Sequence, residues 1–386
     1  MTNEFAGKRV VILGSTGSIG ESALKVAREL GPEQMQVVGL AAGTRYEELA
    51  RQAKEFGVKD VCIYDESRSE ALKGLLPDGN VSAGAEGLLE LATLTQADMI
   101  LVSIVGTAGL LPTLAAIEAG KDLAIASKEI LVMAGEMVMT AAREKGVKVL
   151  PVDSEHNAIF QCLEGQQERS VSRLILTASG GPFRTWGKDK LSSVTLSQAL
   201  KHPTWEMGQK ITIDSATMFN KGLEMIEARW LFGVGMEKVD VIVHPQSIVH
   251  SMVEYLDGSI LAQLSTTDMC FPIQYAVTWP ERCPTGLKSL DFAELAKLEF
   301  EAVREDAFPA VRLAREAGLA GGCLPAVLNA ANEVAVEAFV RGELAFTGIA
   351  KVVEEAMMKM ASTPGVTLDE ILEADNVARQ RAEELV

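Results

Sequence analysis

Lys8-Arg9-Val10-Val11-Ile12-Leu13-Gly14-Ser15-Thr16-Gly17-Ser18-Ile19-Gly20 decides the fold of this chain. A short apolar strand runs into a turn with three glycines. A helix follows, with Ala23, Leu24, Ala27 and Leu30 at helical spacing. Strand, glycine turn and helix form the first half of a dinucleotide-binding unit. Glycine lets the backbone approach a pyrophosphate, and the helix N-terminus adds free N–H groups and the positive end of its dipole. The spacing is G-x-x-G-x-x-G, not the commoner G-x-G-x-x-G, so the motif draws its weight from its place after the first strand. Gly14, Thr16, Gly17, Ser18 and Ile19 are the candidate cofactor contacts.

The next strand, Met35 to Ala42, ends in Ala42-Gly43-Thr44-Arg45. An enzyme using the unphosphorylated nicotinamide cofactor usually has a carboxylate there for the ribose hydroxyls. Here a hydroxyl and a guanidinium take that place, which suits a 2′-phosphate and predicts NADPH. The plain alternative for Arg45 is a solvated residue at the start of the next helix. Alternation continues with a helix over 46–56, a strand at 61–64, a helix over 84–94, and a strand at 99–103. A helix over 112–118 and a strand at 123–126 complete it. This periodicity implies a doubly wound parallel sheet with ligands at the carboxyl ends of its strands. Ser127-Lys128-Glu129 falls at such an end. Lys128 there can bond a substrate hydroxyl near the nicotinamide, or form an ion pair with Glu129 at the helix start.

Pro151-Val152-Asp153-Ser154-Glu155-His156-Asn157 follows the apolar run 147–152. In an extended segment, Asp153 and Glu155 share a face while Ser154 points elsewhere. Two hard oxygen ligands on one spot suit Mg²⁺ or Mn²⁺. Further on, a strand over 173–177 ends in Ala178-Ser179-Gly180-Gly181-Pro182-Phe183, an anion nest or a plain turn. The polar stretch 184–208 contains His202-Pro203-Thr204-Trp205-Glu206-Met207-Gly208, and its Trp suggests a lid over a ligand. If 217–232 is helical, Asn220, Lys221 and Glu224 share a face. A surface ion pair between Lys221 and Glu224 is the plain alternative. A strand at 239–243 then leads to a hairpin over 248–264 turned at Asp257-Gly258, an expected dimer edge.

From about 286 the composition changes. A linker leads to Pro309 and to helical patterns at 324–341, 346–360 and 368–384. This bundle shows no convergent polar cluster and reads as structural. The expected fold is therefore α/β: a Rossmann-like doubly wound parallel sheet over 1–150 and a central α+β catalytic domain over 151–285. A linker over 286–311 and a C-terminal helical bundle over 312–386 follow.

With 386 residues, 48% of them hydrophobic and 23% charged, the composition is that of a soluble globular protein of two or three domains. The formal net charge of −17 argues against nucleic acid, whose backbone demands basic patches. Five scattered cysteines without C-x-x-C indicate neither a zinc site nor a disulfide framework. No signal peptide is visible, and the apolar window 99–117 is broken by Gly106, Gly109 and Pro112, so a cytoplasmic protein without a membrane span is expected.

Taken in order, these motifs resemble the 1-deoxy-D-xylulose 5-phosphate reductoisomerase family. The resemblance covers nearly the whole chain, including Asp214-Ser215-Ala216-Thr217-Met218-Phe219-Asn220-Lys221-Gly222-Leu223-Glu224 and Asn329-Ala330-Ala331-Asn332-Glu333. It implies a homodimer that uses NADPH and Mg²⁺ or Mn²⁺, with Co²⁺ as a further option. The substrate would be a sugar phosphate, rearranged by retro-aldol and aldol steps and then reduced. Asp153, Glu155 and Glu224 would hold the metal. Ser179, Ser215, Asn220 and Lys221 would hold the phosphate, while Lys128 and Ser154 contact hydroxyls. His202, Trp205 and Met207 would close over the substrate. The implied catalytic set is Lys128, Asp153, Glu155, His202 and Glu224. Ser127, Glu129 and Gly208 join the glycine turn and Gly43-Thr44-Arg45 around the cofactor. Ser127 stands where the family usually has Asn, and Thr44-Arg45 also departs from its usual pair. Two enzyme readings compete: a metal-dependent NADPH reductase of another sugar phosphate, and a homoserine dehydrogenase-like oxidoreductase without a divalent metal. A catalytically dead NADPH sensor is the reading from another class, and it would need the loss of a metal carboxylate or of Lys221.

Overall fold

The computed structural model describes residues 7–205, 207–360, 364–365 and 367–386. Seven strands, β1 (Lys8–Leu13), β2 (Met35–Ala42), β3 (Asp60–Ile63), β4 (Asn80–Ala83), β5 (Met99–Val102), β6 (Asp122–Ile125) and β7 (Val149–Pro151), form one sheet. Its order is β4-β3-β2-β1-β5-β6-β7, and every pairing is parallel. The chain winds outward from β1 to β4, then returns to the other side of β1 with β5. The switch point thus lies between the carboxyl ends of β1 and β5, where open α/β sheets bind ligands. Val10, Val11, Ile12 and Leu13 are completely buried, as are Met99 to Val102. A parallel sheet covered on both faces reads as continuous apolar runs for this reason. The expected doubly wound sheet is borne out. The periodicity missed β4 and the helix Ser69–Leu75, both short, at an edge and only partly buried.

The chain packs as two compact units. The first contains the described residues to 130, then Glu136–Asn157 and Asp268–Lys288. The second contains Leu131–Gly135, Ala158–Thr267 and the described residues of Ser289–Val386. Sequence order alone placed 268–285 in the central segment. In the structure the helix Cys270–Thr278 packs on the helix Ser18–Leu30, with an ion pair between Lys25 and Asp268 at 3.4 Å.

In the second unit, β8 (Val171–Ala178), β9 (Val239–Val243), β10 (Val249–Tyr255) and β11 (Ile260–Leu264) form a mixed sheet ordered β11-β10-β8-β9. β8 and β9 are parallel, while β10 runs antiparallel to both β8 and β11. The β10–β11 hairpin turns at Asp257-Gly258, with φ of 82° at the glycine. Two helices, Gln209–Thr217 and Phe219–Phe232, meet at Met218, whose φ is 70°. Four more follow: Ala310–Ala320, Leu324–Arg341, Phe346–Lys359 and Leu368–Leu385. The stretch before them is not featureless. It holds the short helix Phe292–Leu295, and Glu301 exchanges backbone hydrogen bonds with Val243. Among the described residues, no helix is long and apolar enough to cross a membrane.

Candidate functional site

The glycine turn sits at the switch point. Gly14 has φ of 99°, and a Cβ there would lie 2.8 Å from the Ser103 carbonyl and hydroxyl oxygens at the end of β5. No L side chain fits that turn. Gly17 then caps the helix Ser18–Leu30 with extended backbone, leaving the first-turn N–H groups of Ser18 and Ile19 without intrahelical acceptors. Thr16 is buried beside them. Gln52, which the sequence did not single out, pins the turn: it accepts a hydrogen bond from the Ser15 hydroxyl at 2.7 Å and donates to the Ser15 carbonyl at 3.2 Å. It is completely buried on the helix Tyr46–Phe56. A buried Gln inside a helix carries no periodic signal, so only the packing exposes it.

At the end of β2, Gly43, Thr44 and Arg45 are all exposed. Arg45 precedes the helix Tyr46–Phe56 and lies 4.0 Å from Glu21, an ion pair exposed on both sides and so weak. Ser127 is buried, and its hydroxyl donates to the Ile104 carbonyl. Glu129 is buried next to it.

Lys128 opens the helix Lys128–Lys145 after β6, while Asp153 follows β7 on the neighbouring strand. Their side chains meet at 2.5 Å, with the ammonium 7% and the carboxylate 17% exposed. Of the two partners open to Lys128 in the sequence, neither was this one. The expected extended geometry at Asp153-Ser154-Glu155 is corrected: a helix begins at Ser154 and runs to Leu163. The Asn157 N–H donates to the Asp153 carbonyl at 2.9 Å, the first helical bond. Asp153 therefore stands at the helix start and Glu155 in its first turn. Acceptors there suit free N–H groups and the positive dipole end, and this favoured a helix over a longer strand. The two carboxylates still come together. An oxygen of each lies within 4.8 Å of the other, a spacing that oxygens sharing one cation can adopt. The Ser154 hydroxyl donates to Glu155 at 2.5 Å.

The second unit holds the polar residues expected around an anion. Ser179 follows β8, and the Gly181 N–H donates to its hydroxyl at 3.2 Å. Gly181 has φ of 67°, and a Cβ there would lie 2.9 Å from the Ser215 carbonyl and the Ala216 Cα, so the turn is seated on the helix Gln209–Thr217. His202 Nε2 lies 2.9 Å from the Ser179 hydroxyl and 3.0 Å from that of Ser215. Its Nδ1 receives the backbone N–H groups of Thr204 at 3.2 Å and Trp205 at 3.0 Å. An imidazole nitrogen that accepts two hydrogen bonds carries no proton, which assigns the ring hydrogen to Nε2, facing the two serines. Trp205 is half-buried, its ring 6.2 Å from that of His250 on β10. Met207 is half-buried and Gly208 exposed; Gly208 opens the helix Gln209–Thr217. Glu206 lies outside the described residues.

On the helix Phe219–Phe232, Asn220 donates to one Glu224 oxygen at 2.6 Å, and Lys221 pairs with the other. The side chains of Lys221 and Glu224 are only 4% and 1% exposed. The surface-pair alternative is therefore excluded. Removing one partner from a buried pair costs about 3–5 kcal/mol, because the remaining charge stays in a dry place.

The bundle, read from the sequence as structural, carries buried polar contacts. Asn332 is fully buried and donates to Asp214 at 2.8 Å, while Arg379 ties Glu333 to Asp375.

A switch-point glycine turn, an arginine where the second strand ends, and a separate α+β unit rich in buried polar groups define the class of dinucleotide-dependent enzymes. Models of the 1-deoxy-D-xylulose 5-phosphate reductoisomerase family match residues 10–135, and its C-terminal domains match 149–232 and 264–381. A reductoisomerase of that name from Chlorobaculum tepidum is 52% identical over 381 residues, covering 98% of this chain and 100% of the relative. One from Geobacter metallireducens is 50% identical over 98% of this chain and 99% of its own length. The chain belongs to the 1-deoxy-D-xylulose 5-phosphate reductoisomerase family. Two solved structures agree. The Zymomonas mobilis enzyme in complex with NADPH superposes with a TM-score of 0.92 at 46% identity, over 98% of this chain and 99% of that one. A reductoisomerase in complex with NADPH, fosmidomycin and magnesium gives 0.93 at 39% identity, over 98% of each chain.

Proposed function

We propose that this protein converts 1-deoxy-D-xylulose 5-phosphate to 2-C-methyl-D-erythritol 4-phosphate with NADPH and a divalent cation, in the non-mevalonate route to isoprenoids. The observation that carries this reading is the pair of carboxylates, Asp153 and Glu155, with oxygens within 4.8 Å at the carboxyl end of a Rossmann sheet. Hydride transfer alone needs no such pair, whereas Mg²⁺, Mn²⁺ and Co²⁺ accept carboxylate ligands. Asp153, Glu155 and Glu224 are the proposed metal ligands. When bound, the cation would polarise the substrate carbonyl and neutralise the oxyanions that develop as the carbon skeleton rearranges, and NADPH would supply the hydride.

The chain's own groups do the rest. Lys128, oriented by Asp153, donates to a substrate hydroxyl, and Ser154 binds a second. Ser179, Ser215, Asn220 and Lys221 hold the phosphate, with His202 donating from Nε2 between the two serines. Trp205 and Met207 belong to a lid, 184–208, that keeps water from the reacting atoms. Gly14, Thr16, Gly17, Ser18 and Ile19 receive the pyrophosphate, Gly43-Thr44-Arg45 the 2′-phosphate, and Ser127, Glu129 and Gly208 the nicotinamide half. Gly14 fits this role because the backbone turns there with no side chain in the way. The functional layout that goes with it is a cofactor segment at 1–150, a catalytic and dimerising segment at 151–285, a linker at 286–311 and a helical segment at 312–386. A cytoplasmic homodimer paired through the β11 edge completes the proposal.

The test is NADPH oxidation with this sugar phosphate, before and after chelation and metal replacement. Turnover that stops with chelator and returns with Mg²⁺ or Mn²⁺ supports the reading. Metal-dependent NADPH oxidation with other sugar phosphates only would redirect it, and turnover of this sugar phosphate that survives chelation would overturn the role given to the metal. Glu224→Gln should abolish turnover with NADPH affinity changed only a few-fold, and loss of NADPH binding in that variant would contradict the role given to Glu224.

A further inference from the structure

Asn332 lies in the tail motif Asn329-Ala330-Ala331-Asn332-Glu333, which the proposed chemistry leaves unused. Its side chain is fully buried on the helix Leu324–Arg341, and its Nδ2 donates to Asp214 Oδ1 at 2.8 Å across 118 residues of sequence. The other Asp214 oxygen pairs with Lys210 at 2.8 Å, one turn earlier on the same helix, and the Asp214 carboxylate is only 2% exposed. Asp214 precedes Ser215, whose hydroxyl must stay 3.0 Å from His202 Nε2.

The geometry points to Asp214 and Asn332 as positioning residues that set the roll of the helix Gln209–Thr217 and so place the Ser215 hydroxyl in the phosphate pocket. The helix has only nine residues and ends at Met218 in the left-handed region, so its own length does little to fix its orientation. A buried carboxylate is costly unless its oxygens are paired, and that need holds Asp214 against Asn332. Neighbouring helical residues point about 100° apart, so any roll that relieves an unpaired Asp214 also swings Ser215. Asn332 itself stands on a braced helix: Asn329 donates to Glu333 at 3.1 Å, and Arg379 joins Glu333 at 2.6 Å to Asp375 at 2.7 Å. The C-terminal helices thereby act on substrate phosphate without touching it. The inference rests on the assignment of Ser215 to the phosphate.

The test measures kcat and both KM values of the full chain for Asn332→Ala, Ser215→Ala and the double variant. Asn332→Ala is expected to raise the sugar-phosphate KM about tenfold, with kcat and the NADPH KM within about twofold of the parent. The double variant should be little worse than Ser215→Ala alone, because both changes remove one interaction. Full additivity, or a fall in kcat with both KM values raised alike, would mean a purely structural role and overturn the proposal. An unchanged KM in Ser215→Ala would instead remove the phosphate assignment, and the proposal with it. If Asn332→Ala does not fold, Asn332→Asp sets two carboxylates face to face and should raise the same KM. Adding Asp214→Asn to it restores a donor and an acceptor, and KM should recover; no recovery overturns the proposal.

Discussion

Arg45 is the residue proposed to read the 2′-phosphate of the cofactor. It stands at the end of β2, more than half exposed, with Glu21 4.0 Å away as a weak partner, so its guanidinium can turn to a 2′-phosphate at little cost. Arg45→Ala is expected to raise KM for NADPH by about tenfold or more while leaving KM for NADH nearly unchanged. Steady-state kinetics with both cofactors checks it, and equal effects would remove Arg45 from the 2′-phosphate. At this scale the sequence was informative about residue types and poor about partners. Asp153 and Glu155 were singled out, yet through strand alternation, and the helix beginning at Ser154 brings them together instead. Lys128 was flagged by its place after a strand. Its partner, 25 residues away, depends on β6 and β7 lying side by side.

Elements were legible where burial imposes a period. The strand β1, its glycine turn and the following helix stand where apolar spacing put them, as do the three last helices to within a residue or so. What joins elements was less legible. Arg9 on β1 grips Asp98, just before β5, by side-chain hydrogen bonds of 2.7 and 2.9 Å, and its backbone N–H also donates to that carboxylate. The hydrogen bond from the Arg9 guanidinium holds the Asp98 carboxyl below its ordinary range. A folded-state value below the unfolded one adds stability above about pH 4, and that contribution is lost as pH falls through the folded value. Asp98→Asn should therefore lower the melting temperature at neutral pH, with the gap to the parent closing in acid. Thermal unfolding at several pH values reads it out. Because both groups are partly exposed, the effect will be small. A gap that stays constant with pH would show that the ion pair adds nothing to the fold.

The whole molecule raises the question of assembly. β11 ends the order of its sheet, and its Ile260 and Leu261 are 49% and 42% exposed. An apolar edge strand with unpaired backbone groups is a template for pairing with a second copy. Leu261→Asp is expected to shift the proposed dimer toward monomer, read by light scattering on a sizing column. A parent that is itself monomeric would remove the dimer from the proposal, and a variant that stays fully dimeric would move the interface away from this edge. The thiols add a second check at this scale. All five cysteines are free. Burial pushes Cys62 and Cys162 up to about 11, Cys270 up to about 12, and Cys323 up as well. Those four are buried while Cys283 is half-buried, and by its accessibility Cys283 should be the first to react with a thiol reagent. By itself the sequence determined the doubly wound sheet, the glycine turn, the carboxylates and the family. Each depends on local periodicity, or on residue types in a fixed order, that a chain carries before it folds. Only the tertiary structure decided which groups meet: Lys128 with Asp153, His202 with Ser179 and Ser215, Asn332 with Asp214. Those partners lie from 13 to 118 residues apart in sequence, and no local pattern encodes such pairings; packing in three dimensions sets them.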